Sequence, residues 1–357
     1  NAIRYIHSLA GTLRRLRLLV IHSGGDSKRV PQYSVCGKLF SPIPRLLPDG
    51  RRSTLFDELM IGLSGVPERI SDGMLVCSGD VLLLFNALQV EFHGAGAAAL
   101  SIKADAAIGQ RHGVYLRDHQ GDVERFLHKQ REDSLRASGA VDARQKVDID
   151  TGAVLLSSEI LESLYSLIDS EDAFGAFVNE KARLSFYADF LYPLASASTL
   201  EEYYCETPEG DFTPELRACR TQLWSVLRRH RLRLIRLSPA SFIHFGSTPE
   251  LLALVAENID NFTYLGWSAK VNTNASDGDF SASNVFVHPG ALIGQGSYLE
   301  DSIVCEGAAV GKRCVVSGAT LFQGMDVPDD AVLHVLKLQD GRFVARLYGV
   351  NDNPKEN

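Results

Sequence analysis

Short apolar runs alternate with amphipathic segments along residues 1–268. Residues 18–21 and 74–77 are continuous apolar runs, which are typical of strands that are buried on both faces of a sheet. In residues 1–15, apolar side chains instead recur at helical spacing, as at Ile3, Ile6 and Leu9. This alternation predicts a doubly wound, Rossmann-like α/β domain. Strands are expected in residues 17–22, 74–80, 98–104, 113–117, 123–129, 147–157 and 232–245, and further helices in residues 54–63, 159–168, 186–194, 215–230 and 250–257.

The apolar pattern changes after about residue 270. Apolar residues then recur every six positions, with one shift of a single residue, at Ile293, Leu299, Val304, Val310, Val316 and Phe322. Such a period, with small residues in between, is typical of a parallel β-helix, in which each coil stacks on the next. Antiparallel hairpins are the alternative, although no Asn-Gly turn occurs there. We expect a β-helix domain over residues 269–340, followed by a linker over residues 341–357.

Charge and cysteine content restrict the class of protein. Its 357 residues contain 36 Lys and Arg and 44 Asp and Glu, and the formal charge of −8 argues against a general nucleic-acid-binding protein. The six cysteines form no C-x-x-C pair, which favours a reducing cytoplasm over a disulfide or zinc site. The apolar runs are far shorter than the ~20 residues that span a bilayer. We therefore expect a cytoplasmic protein with neither nucleic acid nor membrane as a partner.

A glycine-rich, basic segment follows the first predicted strand. Glycines let the backbone approach a ligand closely, and the cations beside them can neutralise phosphate oxygens. The candidate phosphate-binding residues are Gly24, Gly25, Ser27, Lys28, Arg29 and Lys38. A tight turn with solvated lysines is the alternative. The Gly37-Lys38 pair is not part of a P-loop, because residue 39 is Leu rather than Ser or Thr.

Gly79 and Asp80 end a second apolar strand. The carboxyl ends of strands are where α/β sheets bind ligands, and a carboxylate there can bind Mg²⁺. Nucleotidyl transfer needs such a metal and several cations, because a sugar 1-phosphate oxygen attacks the α-phosphorus of a nucleoside triphosphate while pyrophosphate leaves. We interpret Asp80 as the metal ligand, Arg29 and Lys38 as contacts to the triphosphate, and Lys129 as a contact to the sugar phosphate.

Several separated motifs then point to one protein family. They lie at residues 19–31, 37–38, 78–81, 150–152, 244–246 and 352–355, in the family's order. The chain resembles the pyrophosphorylase part of bifunctional L-fucokinase/GDP-L-fucose pyrophosphorylases. The resemblance implies that GTP and L-fucose 1-phosphate give GDP-L-fucose and pyrophosphate, with Mg²⁺ or Mn²⁺, on an α/β domain followed by a left-handed β-helix. It also implies another glycine-rich loop before Asn1 and a kinase domain in the same full-length chain; self-association is a further expectation.

The residues and the resemblance together give a candidate site. The nucleotide-binding residues are Gly24, Gly25, Ser27, Lys28 and Gly79, and the catalytic residues are Arg29, Lys38 and Asp80, the last also as metal ligand. The residues expected at the sugar phosphate are Lys129, Asp150, Thr151, Gly152, Asp189 and His244. Lys129 takes the place of the lysine in a Glu-Lys-Pro motif, but its neighbours here are His128 and Gln130. For Asp189 and His244 the alternatives are a helix-surface carboxylate and a packed histidine at a strand end.

Three other functions are compatible with parts of the pattern. The chain could transfer a nucleotide to a different sugar, such as mannose 1-phosphate. It could also be a non-catalytic module that senses nucleotide while the β-helix mediates assembly, although a pseudoenzyme has no need to keep Arg29, Lys38 and Asp80 together. A β-helix acyltransferase is disfavoured, because His288 and His334 lie only at the ends of the repeat. We expect no kinase activity, since these residues contain no glycine/serine-rich kinase loop.

Overall fold

The structure, a computed structural model, describes residues 1–22 and 27–353. Its helices in chain order are α1 (Ala2–Ala10), α2 (Leu55–Leu63), α3 (Ala106–Gly109), α4 (Glu132–Ala137), α5 (Ser158–Tyr165), α6 (Glu171–Phe177), α7 (Leu200–Cys205), α8 (Pro214–Leu227) and α9 (Thr248–Leu252). Its strands are β1 (Arg17–His22), β2 (Pro42–Leu46), β3 (Arg52–Thr54), β4 (Gly73–Ser78), β5 (Val81–Phe85), β6 (Ala97–Asp105), β7 (Gly113–Arg117), β8 (Val123–His128), β9 (Lys146–Leu156), β10 (Leu232–Arg236), β11 (Ala240–His244), β12 (Lys270–Thr273), β13 (Ser281–Val287), β14 (Leu292–Ile293), β15 (Tyr298–Val304), β16 (Ala309–Val310), β17 (Val315–Ser317), β18 (Thr320–Leu321), β19 (Asp326–Val327), β20 (Ala331–Lys337) and β21 (Phe343–Gly349). Among these described residues, no helix combines the length and the apolar character needed to cross a membrane.

The chain divides into two units that do not follow its linear order. The first unit contains Asn1–His22 and Gly62–Phe242, and the second contains Ser23–Ile61 and Ile243–Asn357. The second unit therefore includes the segment with Ser27, Lys28, Arg29 and Lys38. The domains predicted over residues 1–268 and 269–340, with a linker after them, stay a prediction.

A mixed sheet with the strand order β1-β4-β9-β6-β10 forms the centre of the first unit. Strands β1 and β4 are parallel, and so are β6 and β10, whereas β9 runs antiparallel to both β4 and β6. Strands β7 and β8 form an antiparallel pair beside β9. The predicted α/β class is confirmed at this level.

Hydrophobic cores cover both faces of β4, which explains its continuous apolar run, whereas Leu19 in the run of the edge strand β1 is 39% exposed. Successive residues of β4 belong to opposite hydrophobic cores: Leu75 and Cys77 lie in one, and Met74 and Val76 lie in the other. Alternating side chains of a strand point to opposite faces, so a strand with cores on both sides needs an apolar residue at every position. The sequence pattern of β4 therefore results from its central place in the sheet.

Several predicted elements differ from the structure in their extent. Helix α1 ends at Ala10 rather than near residue 15, because Gly11 adopts a left-handed conformation with φ of 70° and its N–H bonds to the carbonyl of His7. Residues 186–194 form a π turn and a 3₁₀ turn, and Pro193 in the latter lacks the N–H that a continuing α-helix requires. Residues 232–245 form two strands, β10 and β11, rather than one.

Parallel strands with a constant step of 17 residues dominate the second unit. In one sheet, Ser281 pairs with Tyr298, Tyr298 with Val315, and Val315 with Val332. A second sheet repeats the same step through β14, β16 and β19, from Leu292 to Ala309 and from Ala309 to Asp326. These pairings are parallel, so the alternative of antiparallel hairpins does not describe them.

Stacked apolar side chains explain the periodic pattern in this region. Ala282, Leu299 and Val316 occupy equivalent positions of successive strands and are all buried in one hydrophobic core. Each strand thus buries its apolar residues against those of the next strand of the sheet. Strand β21 then pairs antiparallel with β20, so part of the segment that we expected to be a linker extends this sheet.

Candidate functional site

Ser27 and Lys38 join the two ends of the basic segment in the second unit. Ser27 is buried and has a positive φ of 52°, and its Oγ accepts a hydrogen bond of 3.2 Å from the Lys38 N–H. The side chain of Lys38 is only 5% exposed, and its Nζ donates to the carbonyl of Gly246 at 2.9 Å. The ammonium group is therefore held in place, which refutes the alternative of a solvated surface lysine.

Lys28 and Arg29 follow Ser27 in this segment; hydrogen bonds hold the main chain at Arg29, and both cationic side chains lie at the surface. The carbonyl of Arg29 accepts hydrogen bonds from the N–H of Thr248 at 2.9 Å and from its Oγ1 at 3.2 Å. The side chains of Lys28 and Arg29 are exposed. Anchoring of the main chain thus orients two cations outward. Gly24 and Gly25 lie outside the described residues.

His244 reaches the same neighbourhood of the second unit from the end of β11. Its Nδ1 lies 3.3 Å from Glu250 Oε2, and the same oxygen accepts the N–H of Gly246 at 3.0 Å. A Cβ at Gly246 would come within 2.1 Å of the His244 ring, so the close approach requires glycine. His244 is a packed histidine bound to Glu250, and it lies two residues from the carbonyl that holds Lys38.

Asp80 lies at the carboxyl edge of the sheet in the first unit. Strands β1 and β4 end side by side there, with His22 paired to Ser78 and the Gly79 N–H donating to the His22 carbonyl at 2.9 Å. The Ser78 hydroxyl donates to Asp80 Oδ1 at 2.6 Å. Asp80 is half-buried, so one strand end presents an oriented carboxylate at the edge where such sheets bind ligands.

Asp150 and Gly152 lie next to this strand end on β9. A Cβ at Gly152 would be 2.9 Å from Ser78 Cβ, and its φ of 72° also favours glycine. The Gly152 N–H donates to Asp150 Oδ1 at 2.9 Å, and burial raises the pKa of Asp150 to about 6. Thr151 points the other way: its hydroxyl donates to the carbonyl of Leu100 at 2.6 Å and is buried. The expected sugar contact by the Thr151 side chain is therefore corrected to a structural role.

A histidine and a tyrosine that sequence reasoning left without a role complete this cluster. Nε2 of His22 lies 2.6 Å from the hydroxyl of Tyr187, which donates to the Gly152 carbonyl at 3.2 Å. The Tyr187 hydroxyl has one hydrogen and donates it to the Gly152 carbonyl. In this arrangement Nε2 of His22 therefore carries a hydrogen and donates it to the Tyr187 oxygen. Burial lowers the pKa of His22, against the opposing effect of Asp80. The position of His22 at the end of an apolar strand was a usable signal, whereas Tyr187 lies on a π turn that no periodicity reveals.

Lys129 and Asp189 were both expected to contact the sugar phosphate, and the structure separates them. Lys129 is exposed and follows His128, which pairs with Gly113 on β7. A Cβ added at Gly113 would lie 3.1 Å from the Cβ of Asp150. Asp189 is completely buried, and its Oδ1 accepts a hydrogen bond of 2.8 Å from Arg220 Nε. Its carboxylate is thus committed to an internal ion pair, which corrects the expected sugar contact and also excludes the helix-surface alternative.

The described carboxylates fit Mg²⁺, which needs few protein ligands, better than a metal ion that is coordinated only by protein side chains. In the part of the chain that the structure describes, no group of three or more His, Cys, Asp or Glu residues could hold a metal ion. Magnesium, however, commonly takes one or two carboxylates and completes its shell with water and substrate phosphates. Asp80, oriented by the Ser78 hydroxyl, offers an oxygen donor of that kind.

Comparisons with known proteins agree with one family along nearly the entire chain. The family model described as "Fucose pyrophosphorylase domain" matches residues 10–357 of the chain. The chain is 24% identical over 99% of its length to the fucose-1-phosphate guanylyltransferase of Mus musculus, and 25% identical over 95% to that of Homo sapiens. It is 24% identical over 95% of its length to the bifunctional fucokinase/GDP-fucose pyrophosphorylase of Arabidopsis thaliana. It spans 65%, 61% and 34% of these three proteins. The chain therefore belongs to the fucose pyrophosphorylase domain family.

Proposed function

We propose that this chain transfers GMP from GTP to L-fucose 1-phosphate, which gives GDP-L-fucose and pyrophosphate. The family match over residues 10–357 carries this proposal. The relatives from mouse and human are named for the same transfer. Each unit carries charged groups of a kind that the reaction requires: cations in the second unit and a strand-end carboxylate in the first.

The basic segment of the second unit binds the triphosphate. Lys38 holds its ammonium group on the Gly246 carbonyl, and Arg29 and Lys28 are exposed on a backbone that Thr248 anchors. These cations neutralise the phosphate oxygens of GTP and the charge that develops on the departing pyrophosphate.

Asp80 holds Mg²⁺ in this proposal. The bound ion would supply charge neutralisation between the phosphate groups. The Ser78 hydroxyl donates a hydrogen bond to the Asp80 carboxylate and so holds the carboxylate in one orientation. Gly79, the buried neighbour of Asp80, is the nucleotide-binding residue expected at this strand end.

The surroundings of Asp150 bind the fucose 1-phosphate. The Asp150 carboxylate accepts hydrogen bonds from hydroxyl groups of the sugar. Gly152, which has no side chain, lets the main chain of β9 pass close to Ser78. Lys129, which is exposed and directly follows β8, contacts the sugar phosphate. The phosphate oxygen then attacks the α-phosphorus of GTP in line with the leaving pyrophosphate.

The finer architecture belongs to the same proposal. We assign a Rossmann-like domain to the mixed sheet and a left-handed β-helix to the coils of the second unit. Their support is the parallel pairing of β1 with β4 and the 17-residue step between coils.

A pyrophosphate-release assay tests the function directly. Four nucleoside triphosphates are crossed with L-fucose, mannose and glucose 1-phosphates, and we expect the highest kcat/KM with GTP and L-fucose 1-phosphate. Asp80→Asn should abolish release, whereas Asp169→Asn, at an exposed carboxylate of the same unit, should leave it unchanged. Equal rates across the sugars would refute the fucose assignment, and nucleotide binding without turnover would favour the sensing module.

A further inference from the structure

Side chains from the coils of the second unit hold a turn within the basic segment. This turn is the 3₁₀ element Pro31–Tyr33 with the next residue, Ser34. The Tyr33 hydroxyl donates to Glu300 Oε2 at 2.8 Å. Arg346 donates to the Pro31 carbonyl at 2.8 Å and to Ser34 Oγ at 3.1 Å. Two points of the turn are thus bound by residues more than 260 positions away in sequence.

Glu300 is an unusual residue for the interior of a parallel coil. It is 1% exposed, and its second oxygen accepts a hydrogen bond of 2.7 Å from Ser317, the residue paired with it on the next strand. Burial raises the pKa of this carboxyl. A buried carboxyl costs stability unless its oxygens are bonded, so an apolar residue would serve the coil better. The bond to Tyr33 gives its presence here a reason.

Arg346 forms the second attachment. It lies opposite His334 in the β20–β21 pair, and its Nη2 is 2.7 Å from His334 Nδ1. Burial and the charge of Arg346 lower the pKa of His334 to about 4, so the neutral ring accepts this hydrogen bond at neutral pH. The guanidinium group is thereby fixed in the direction of the Pro31 carbonyl.

The remaining attachments hold the same segment from another side within the second unit. Lys38 binds the Gly246 carbonyl, and Thr248 binds the Arg29 carbonyl. We propose that Glu300 and Arg346 are positioning residues that hold residues 27–38 in the conformation that binds the triphosphate. The inference rests on the proposed function. Preorganised donors and cations act on phosphate oxygens without reorganisation, so loss of a remote attachment weakens nucleotide binding.

Paired variants test this inference. Glu300→Ala and Arg346→Ala remove the attachments, and Glu306→Ala and Arg342→Ala remove exposed side chains near them as controls. We expect the KM for GTP to rise about tenfold in the first two variants, the size of one lost charged hydrogen bond, while the KM for L-fucose 1-phosphate stays unchanged. Glu300→Gln should retain the wild-type KM, since an amide can accept from one hydroxyl and donate to the other.

Hydrogen exchange supplies a readout that does not depend on turnover. Peptides covering residues 27–38 should exchange faster in both alanine variants, with no change in peptides of the first unit. If Glu300→Ala does not fold, Tyr33→Phe tests the same attachment, because it removes only the hydroxyl. Unchanged exchange in residues 27–38, or faster exchange with an unchanged KM for GTP, would overturn the inference. Failure of the proposed function would instead appear as absent turnover in the wild type, and the exchange experiment would still decide whether the attachments order the segment.

Discussion

Replacement of Asp150 by Asn should stabilise the protein at neutral pH, and should do so less in acid. Asp150 is buried on β9, and in the described residues its carboxylate has no ion-pair partner. Burial raises its pKa from 3.8 to about 6. A carboxyl with a raised pKa binds its proton more tightly in the folded protein, so the free energy of unfolding falls as the pH rises from about 4 to about 6.

The magnitude follows from the two pKa values. Well below pH 4 both states are protonated and the residue costs nothing, whereas well above pH 6 the whole penalty is present. With 3.8 for the unfolded chain and about 6 for the folded one, the penalty is about 1 kcal/mol at pH 4.5 and about 3 kcal/mol at pH 8. Asparagine keeps an oxygen for the Gly152 N–H and carries no charge at any of these pH values.

Urea denaturation at pH 4.5 and pH 8 measures this difference. We expect Asp150→Asn to raise the free energy of unfolding by about 2 kcal/mol more at pH 8 than at pH 4.5. Asp148→Asn is the matched control on the same strand, because it breaks the contacts of a buried carboxylate with Arg236 and Lys103 and should destabilise at both pH values. A gain that is equal at both pH values would contradict the reasoning, and so would a loss at pH 8.

Two further predictions concern neighbouring residues of the first unit. Gly152→Ala places a Cβ 2.9 Å from Ser78 Cβ at a φ of 72°, so we expect a loss of about 1–2 kcal/mol in stability and a large drop in kcat/KM for the sugar phosphate; a variant as stable and active as the wild type would refute the assigned packing. Arg220→Met leaves Asp189 buried without its cation and should cost about 3–5 kcal/mol in urea denaturation, while the double variant with Asp189→Leu should recover most of it. A double variant no more stable than Arg220→Met would contradict the ion-pair explanation.

Local pattern was sufficient to predict the elements that carry the candidate site in each unit. Asp80 could be found because the apolar run before it marks a buried strand, and a strand of this kind ends at the edge where ligands bind. Lys38 was a candidate only through its neighbours and the family resemblance. Its burial and its bond to Gly246 depend on a residue 208 positions away, which no local pattern contains.

The direction of a side chain was the main thing that the sequence could not provide. Asp150, Thr151 and Gly152 were expected to act together, yet alternation along β9 turns the Thr151 hydroxyl to the Leu100 carbonyl. Asp189 was given equal weight as a sugar contact and as a surface carboxylate, and it is neither, because Arg220 on α8 reaches it inside the unit. Tyr187 was missed because its π turn has no periodic pattern.

The buried carboxyl groups differ in what compensates their burial, and this difference separates their roles. Asp189 has the cation of Arg220, and Glu300 has the hydroxyl groups of Tyr33 and Ser317. Asp150 has the Gly152 N–H but no cation in the described residues. Burial raises the pKa of all three carboxyl groups, so the missing cation is what distinguishes Asp150 from Asp189. Selection for stability alone would replace such a residue, since an uncompensated buried charge is costly. A ligand whose hydroxyl groups donate hydrogen bonds to Asp150, or a cation bound there, would supply the missing compensation. Changing Asp150 to Asn should therefore raise stability and lower catalytic activity.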